Sequence, residues 1–127
     1  MFVLRVALDP DAVGGIADFD VPLQARLDGL LTQLEGIDRF ESIHLAPDGR
    51  SALVPVVTAE DLDLPVVSVG DSLRDAVIVG LGDAPAHVEV YMAAPSPEAC
   101  PVCNEVGTHD WSKHVVSADY AGGLIPL

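Results

Sequence analysis

Basic residues are scarce in this chain. Six lysines and arginines stand against 20 aspartates and glutamates over 127 residues, which gives a net charge of −14, and Lys113 is the single lysine. Because a field of this sign repels phosphate backbones, we expect no direct binding of nucleic acid. Adaptation to high salt, negative charge for solubility and mimicry of a polyanion are the explanations of the acidity that the composition leaves open.

Long apolar runs are also lacking, and the first residues do not resemble a leader segment. Half of the residues are hydrophobic, yet no run approaches the roughly 18 residues of a membrane helix, so no membrane partner is expected. Residues 1–10 lack the basic region and cleavage site of a signal peptide. We therefore expect a cytoplasmic protein, or one carried in a virion after assembly inside a cell. The apolar excess is expected to contact a protein partner or another copy of the chain.

Catalytic signatures are absent from most of the sequence. No serine lies in a nucleophile elbow, and the glycine pair Gly80 and Gly82 is too short and poorly placed for a phosphate-binding loop. No catalytic residue is therefore predicted.

The periodicity of the apolar residues predicts an α+β fold. The predicted elements are, in order, a strand at 2–8, a helix at 21–35, strands at 39–46 and 50–58 joined as a hairpin, an extended piece at 66–69, a helix at 72–82 and a strand at 86–93. The order β-α-β-β-α-β is that of the ferredoxin-like sandwich, which we expect over residues 1–94.

Local signals support the two helices and indicate an irregularity in one strand. Asp20, just before Pro22, is expected to cap the first helix, and Ser72 with Asp75 resembles a capping box for the second. Pro55 removes a hydrogen-bond donor from the third strand, which indicates a bulge or an edge position there.

The C-terminal part holds the densest group of metal-binding residue types. Cys100, Cys103, His109 and His114 follow the spacing C-x2-C-x5-H-x4-H. Thiolate and imidazole ligands in one short segment can close a tetrahedron around zinc, so the sequence predicts a Zn²⁺ site at these four residues. Two other readings stay open, namely a loop that binds no metal and a catalytic or redox site built on the Cys-x-x-Cys pair.

The segment from Cys100 to His114 resembles a zinc knuckle of the retroviral type, C-x2-C-x4-H-x4-C. Here the central gap is one residue longer and the last ligand is histidine, while Gly107 and Trp111 stand near the glycine and the aromatic residue of that pattern. The resemblance covers 15 residues and implies a local metal-binding device. The nucleic-acid binding of zinc knuckles is not carried over, because Lys113 is outnumbered by acidic neighbours.

Prolines separate this segment from the rest of the chain. Pro95 and Pro97 mark a predicted boundary, after which residues 95–127 form a zinc-knuckle-like extension with an apolar tail. Since the tail at 115–127 is too apolar to remain in water, we expect it to dock on this domain or on a neighbour.

Other polar groups are assigned ordinary roles. His44 and His87 would lie on opposite edges of a ferredoxin-like sheet, too far apart to share an ion. His87, Glu89 and Tyr91 would line the uncovered sheet face beside Arg5. That face is either a binding surface or a solvated surface with an Arg5–Glu89 pair.

Four aspartates lie in one acidic loop near the N-terminus. The aspartates at 9, 11, 18 and 20 lack the pattern of a calcium-binding loop and are expected to be solvated.

These features favour a non-catalytic, zinc-stabilised structural or interaction protein. We expect it to be a subunit of a larger assembly, such as a phage or viral particle or a cellular complex. One alternative is a zinc-dependent hydrolase or a thiol oxidoreductase that uses the same cysteines and histidines. Another alternative is an acidic inhibitor or immunity-type protein that covers a basic partner surface.

Overall fold

A computed structural model describes residues 2–59, 66–93, 98–106, 109–117, 120–122 and 124–127, with Val66 described by its backbone alone. These residues form a mixed α+β fold with a six-stranded antiparallel sheet and three α-helices. The elements are β1 (Phe2–Leu8), α1 (Leu23–Asp28), β2 (Ile37–Phe40), β3 (His44–Leu45), β4 (Ser51–Thr58), α2 (Val66–Leu81), β5 (Ala86–Met92), α3 (Trp111–Val116) and β6 (Ile125–Pro126). Over the residues described, no helix combines the length and apolarity needed to span a bilayer.

The sheet is built around β1. Its strands follow the order β2-β4-β1-β5-β6, and β3 pairs with the same strand, β4, as β2 does. Phe2, Leu4 and Val6 of β1 face the helices, whereas Val3 and Arg5 face the other side, as alternation along a strand requires. The predicted strands at 2–8, 50–58 and 86–93 are thus present, and the ferredoxin-like assignment remains a prediction.

One face of the sheet is covered by α1 and α2. The inward stripe of α2 consists of Val69, Leu73, Val77 and Leu81, which recur every four residues and are all buried. Side chains four apart lie on the same face of a helix, so these residues pack as one row against the sheet. This layer is the main hydrophobic core.

The first helix is shorter than the predicted 21–35. α1 ends at Asp28, and the chain continues through Gly29 into a short 3-10 turn at Leu31–Gln33. Glycine in a helix interior costs about 1 kcal/mol relative to alanine, which favours the break at this point. The predicted cap is also wrong, because the helix begins after Pro22 and no side chain caps it.

The second helix is longer than predicted. Residues 66–69 were expected to be extended, but α2 runs without interruption from Val66 to Leu81. Ser72 therefore lies inside the helix rather than at its start. The β-branched residues in the first turn favour a strand by propensity, and burial of Val69 in the helical row outweighs that preference.

The predicted strand at 39–46 is divided into β2 and β3. Phe40 pairs with Val56 and His44 pairs with Leu53, so three residues of the chain lie opposite two of β4. Pro55 is one of those two, and its carbonyl accepts from the Glu41 N–H at 2.8 Å. Because proline has no N–H, it cannot complete the ladder on this side. The chain between β2 and β3 is irregular opposite Pro55. The strand that contains Pro55, β4, lies between β2 and β1 and is therefore not an edge strand.

The second face of the sheet is covered by the C-terminal segment. Trp111 of α3 and Leu124 pack against Val3, Leu53 and Tyr91 of the sheet in a second apolar cluster. The expectation of an uncovered, solvated face was therefore wrong. This packing places the cysteines and histidines of the segment above the sheet.

The tail then passes around the edge of the sheet. β6 pairs with the end of β5, Tyr91 opposite Pro126 and Met92 opposite Ile125. The Leu127 N–H donates to the Val90 carbonyl at 3.1 Å, and the Leu127 side chain packs against the main core on the helical side. Of the two predicted positions of the tail, on its own domain or on a neighbour, the structure shows the first.

Candidate metal centre

A tight turn brings the two cysteines together. The Asn104 N–H donates to the Cys100 carbonyl at 2.8 Å, and the Cys100 N–H donates to the Glu105 carbonyl at 3.0 Å. Asn104 has a φ of 60°, in the left-handed region that asparagine tolerates better than most residues. Both cysteines are free and buried, and their sulfur atoms lie within 4.8 Å of each other.

Helix α3 supplies the last histidine. Asp110 caps it by accepting hydrogen bonds from the Ser112 N–H at 3.1 Å and from the Ser112 hydroxyl. His114 lies one turn further, on the inward face, and is fully buried. His109 immediately precedes the cap, and its ring stacks on Trp111 with centroids 5.1 Å apart. The cap and the stacked ring orient both histidines toward the cysteine turn.

The four side chains converge on one point. Their ligand atoms all lie within 4.8 Å of one another. Cys100 Sγ is 3.5 Å from His114 Nε2, Cys103 Sγ is 3.9 Å from His109 Nδ1, and the two ring nitrogens are 3.2 Å apart. With zinc–sulfur and zinc–nitrogen bonds of about 2.3 and 2.05 Å, a tetrahedron has edges of about 3.6 Å between sulfur and nitrogen and about 3.3 Å between nitrogens. The four residues can therefore hold a metal ion.

The tautomer of His114 suits a ligand. Its Nδ1 lies 2.7 Å from the Tyr120 carbonyl oxygen, which can only accept, so Nδ1 carries the proton. In the neutral ring Nε2 then has a lone pair, and this is the atom that faces the other ligands. A ring N–H bonded to a backbone carbonyl is the usual outer contact of a metal-binding histidine.

The Cys100 thiol is adapted to the anionic form. Burial raises its pKa, but hydrogen bonds from the Cys103 and Val102 backbone N–H groups and from the Cys103 side chain lower it, and the net pKa lies below the ordinary value. Since the thiolate is the form that binds metal, the turn favours the chemistry of a metal ligand.

A polar group lies beside the centre, between the segment and the sheet. The hydroxyls of Tyr91 and Tyr120 both donate to Glu89 Oε2, and the Arg5 guanidinium lies 3.7 Å from Glu89 Oε1 and over the Tyr120 ring at 4.4 Å. Burial raises the pKa of Glu89, but the two tyrosine hydrogen bonds and the charge of Arg5 bring it below its usual value. The expected Arg5–Glu89 pair is present.

Tyr120 was not identified from the sequence. It links the metal centre to the sheet, since its carbonyl accepts from His114 and its hydroxyl donates to Glu89. No local spacing connects residue 120 to a strand more than twenty residues earlier. The apolar character of the tail was the one available signal, and it indicated docking without indicating where.

The remaining predicted polar groups lie outside the centre. Among the described residues, the Cys/His group is the one whose side chains lie close enough together to hold a metal ion, and it does not include His44 or His87. His87 instead lies 3.4 Å from Asp9, and the four loop aspartates are exposed. Gly107 and the predicted boundary at 94/95 fall outside the described residues.

Comparison with known proteins gives little beyond the structure itself. No family model matches the chain, and no curated protein matches it. Among solved structures, the fold is similar to a mycobacterial membrane protein, MmpL11D2, with a TM-score of 0.49 and 21% identity over 71% of this chain and 99% of that chain. A likeness of this size assigns no activity to the chain.

Proposed function

We propose that the four residues form a structural zinc site and that the protein is a non-catalytic, zinc-stabilised structural or interaction protein. The observation that carries the proposal is the convergence of four ligand atoms within 4.8 Å of one another. Two thiolates and two imidazoles at tetrahedral spacing are a set that suits zinc. Hard cations such as magnesium and calcium prefer oxygen ligands.

The number and burial of the ligands favour a structural role. Cys100, Cys103 and His114 are buried, and His109 is half-buried. A catalytic zinc keeps a position open for water or substrate, whereas four protein ligands close the tetrahedron. The same closure argues against the thiol oxidoreductase, because a redox cysteine has to be reachable by its substrate.

The proposed task of the metal is to hold the C-terminal segment on the sheet. The ligands come from the cysteine turn, from His109 just before α3 and from His114 within α3, and no regular secondary structure joins the turn to α3 within the described residues. His114 donates its Nδ1–H to the Tyr120 carbonyl, so one of the ligands also contacts the tail. The ion would thus join the turn, α3 and the tail as one unit above the second sheet face.

The ferredoxin-like assignment belongs to this proposal as well. The strand order β2-β4-β1-β5, with every neighbouring pair antiparallel, supports it. The helices α1 and α2 lie on one face, as that arrangement requires, and the Cys/His segment occupies the opposite face.

Metal analysis of the purified protein tests the zinc site. We expect one tightly bound zinc per chain in the wild type and loss of the ion in Cys103→Ser. His87→Asn is the matched control, because it removes a histidine outside the centre and should keep the full zinc content. Metal-free wild-type protein with reactive thiols would contradict the proposal.

Hydrogen exchange tests the proposed task of the site. Removing the ion with a chelator should speed exchange in α3 and β6 while β1 and α2 remain protected, because the main core lies on the other side of the sheet. Equal loss of protection in the segment and in the main core would refute the division of roles.

The interaction role rests on apolar residues that the fold leaves exposed. Val67, Ile78 and Val79 of α2 have 60, 53 and 78% of their surface exposed. We propose that this helix surface contacts another copy of the chain, and light scattering should show an oligomer that Val79→Ser weakens. A strict monomer at all concentrations would contradict the proposal.

A further inference from the structure

A small pocket lies between the sheet and the C-terminal segment, beside the proposed zinc site but separate from its ligands. Arg5, Ser51 and Leu53 line it from β1 and β4, and Val115, Ser117 and Tyr120 line it from the segment. Its volume is about 250 Å³. Pockets for drug-sized ligands span about 300–1,000 Å³, so this one suits a smaller molecule.

The chemistry of the pocket is set by Arg5. Its side chain is 24% exposed, and its contacts in the described part of the chain are the 3.7 Å ion pair with Glu89 and the face of the Tyr120 ring. Neither contact is a hydrogen bond. A guanidinium has five N–H donors in a rigid fork, so Arg5 brings donors that no described protein group accepts into a partly buried place.

Glu89 holds the guanidinium in place without using its donors. The Oε2 atom of Glu89 accepts from both tyrosine hydroxyls, which directs that oxygen toward Tyr91 and Tyr120. The Tyr120 ring covers one face of the guanidinium at 4.4 Å. The fork is thereby preorganised, which reduces the ordering that a ligand would otherwise have to bring about.

We propose that this pocket binds a small monocarboxylate. The planar fork of Arg5 matches a carboxylate in bidentate geometry, and the Ser51 hydroxyl offers a further donor from the neighbouring strand. Leu53 and Val115 provide apolar walls for a short aliphatic chain. One guanidinium beside Glu89, in a protein of net charge −14, suits a single negative charge better than a phosphate dianion.

Titration with propionate tests the proposal. Zinc-loaded protein is followed by two-dimensional amide NMR while sodium chloride is replaced by sodium propionate at constant ionic strength. We expect saturable shifts centred on Arg5, Ser51 and Val115, no comparable response to inorganic phosphate, and weaker binding of propionamide, which has the same shape without the charge. Shifts that do not saturate, or equal affinity for propionamide, would overturn the proposal.

Variants separate the pocket from the rest of the surface. Arg5→Met should reduce propionate affinity by at least about tenfold, because a charged hydrogen-bonding partner is lost. Arg39→Met is the matched control, since Arg39 is exposed and pairs with Asp38 and Glu41 away from the pocket. Undiminished binding in Arg5→Met would refute the assignment.

A second variant keeps the test decisive if Arg5→Met loosens the segment. Ser51→Leu leaves Arg5 in place and fills the pocket from β4, so it should abolish binding by obstruction. Zinc content is measured for every protein. If the wild-type protein holds zinc but does not bind propionate, the carboxylate pocket is refuted and the zinc site is not. If the purified protein holds no zinc, the zinc site is refuted, and the propionate titration still decides the pocket. Propionate binding retained in Ser51→Leu would also overturn the pocket.

Discussion

The contact between Gly70 and the tail leads to a prediction that can be worked out from the structure. Gly70 lies in α2, and a Cβ atom built there would be 2.5 Å from Leu127 Cδ1 and 3.4 Å from Phe2 Cε1. The first distance is too short for two carbon atoms, so Gly70→Ala requires a movement. Because Leu127 meets the new methyl with the end of a flexible side chain while Phe2 is held in the core, we expect Leu127 to move.

Two effects of opposite sign determine the change in stability. Alanine in place of glycine in a helix interior stabilises by about 1 kcal/mol. Burying a leucine fully contributes about 1.5–3 kcal/mol, and since Leu127 is only half-buried, its displacement costs roughly half of that. The free energy of unfolding should therefore change by less than about 1 kcal/mol. When only the tail opens, α2 stays folded, so the stabilisation of the helix by alanine does not offset the lost packing of Leu127. The equilibrium constant for local opening of the tail should therefore rise about fivefold.

Hydrogen exchange and chemical denaturation together provide the assay. The Leu127 N–H, which is bonded to the Val90 carbonyl, should exchange about fivefold faster in Gly70→Ala, with a small shift of the denaturation midpoint. Gly80→Ala is the control, because it lies in the same helix and meets Leu30 rather than the tail. Unchanged exchange at Leu127, or a global loss of several kcal/mol, would show that the tail does not pack against Gly70 in this way.

Three further predictions concern the contacts around the metal centre. Tyr120→Phe removes a hydrogen bond to Glu89, so the pKa of Glu89 should rise toward its ordinary value, as measured by carboxyl NMR; an unchanged pKa would contradict the contact. Because the folded pKa of Glu89 lies below 4.5, its contribution to stability is present above about pH 4.5 and is lost as pH falls through the folded pKa. Denaturation midpoints of the wild type should therefore decrease over this pH range, and those of Glu89→Gln should decrease less. Asp110→Ala should destabilise α3 by about 1 kcal/mol and weaken zinc retention against a chelator, whereas Asp110→Asn should retain most of the cap; equal behaviour of the two variants would argue against capping.

The sequence was a good guide where one local pattern determines the outcome. Strand β1 was predicted with its observed bounds because Phe2, Leu4, Val6 and Leu8 alternate with the residues of the other face. The four candidate ligands were found from spacing alone, since a short segment limits how far apart their side chains can be. Their convergence is a property of the turn and of α3, both of which are local structures.

The sequence was a poor guide where distant contacts decide between local alternatives. The first turn of α2 was misassigned because valines favour strands, and only the packing of Val69 on the sheet outweighs that preference. The cover over the second sheet face was missed for a related reason. Val3 and Trp111 belong to the same second apolar cluster, yet more than one hundred residues separate them in the chain.

The two-residue strand β6 has a consequence for self-association through backbone pairing. Leu127 directs its N–H inward to Val90, and since successive residues of a strand point in opposite directions, the backbone of Pro126 faces outward. Proline has no N–H to offer there, so a further strand would find no donor from this residue at the outer edge. Although half of the residues are hydrophobic, the edge of the sheet beside β5 is formed by a short strand that is a poor template for edge-to-edge aggregation.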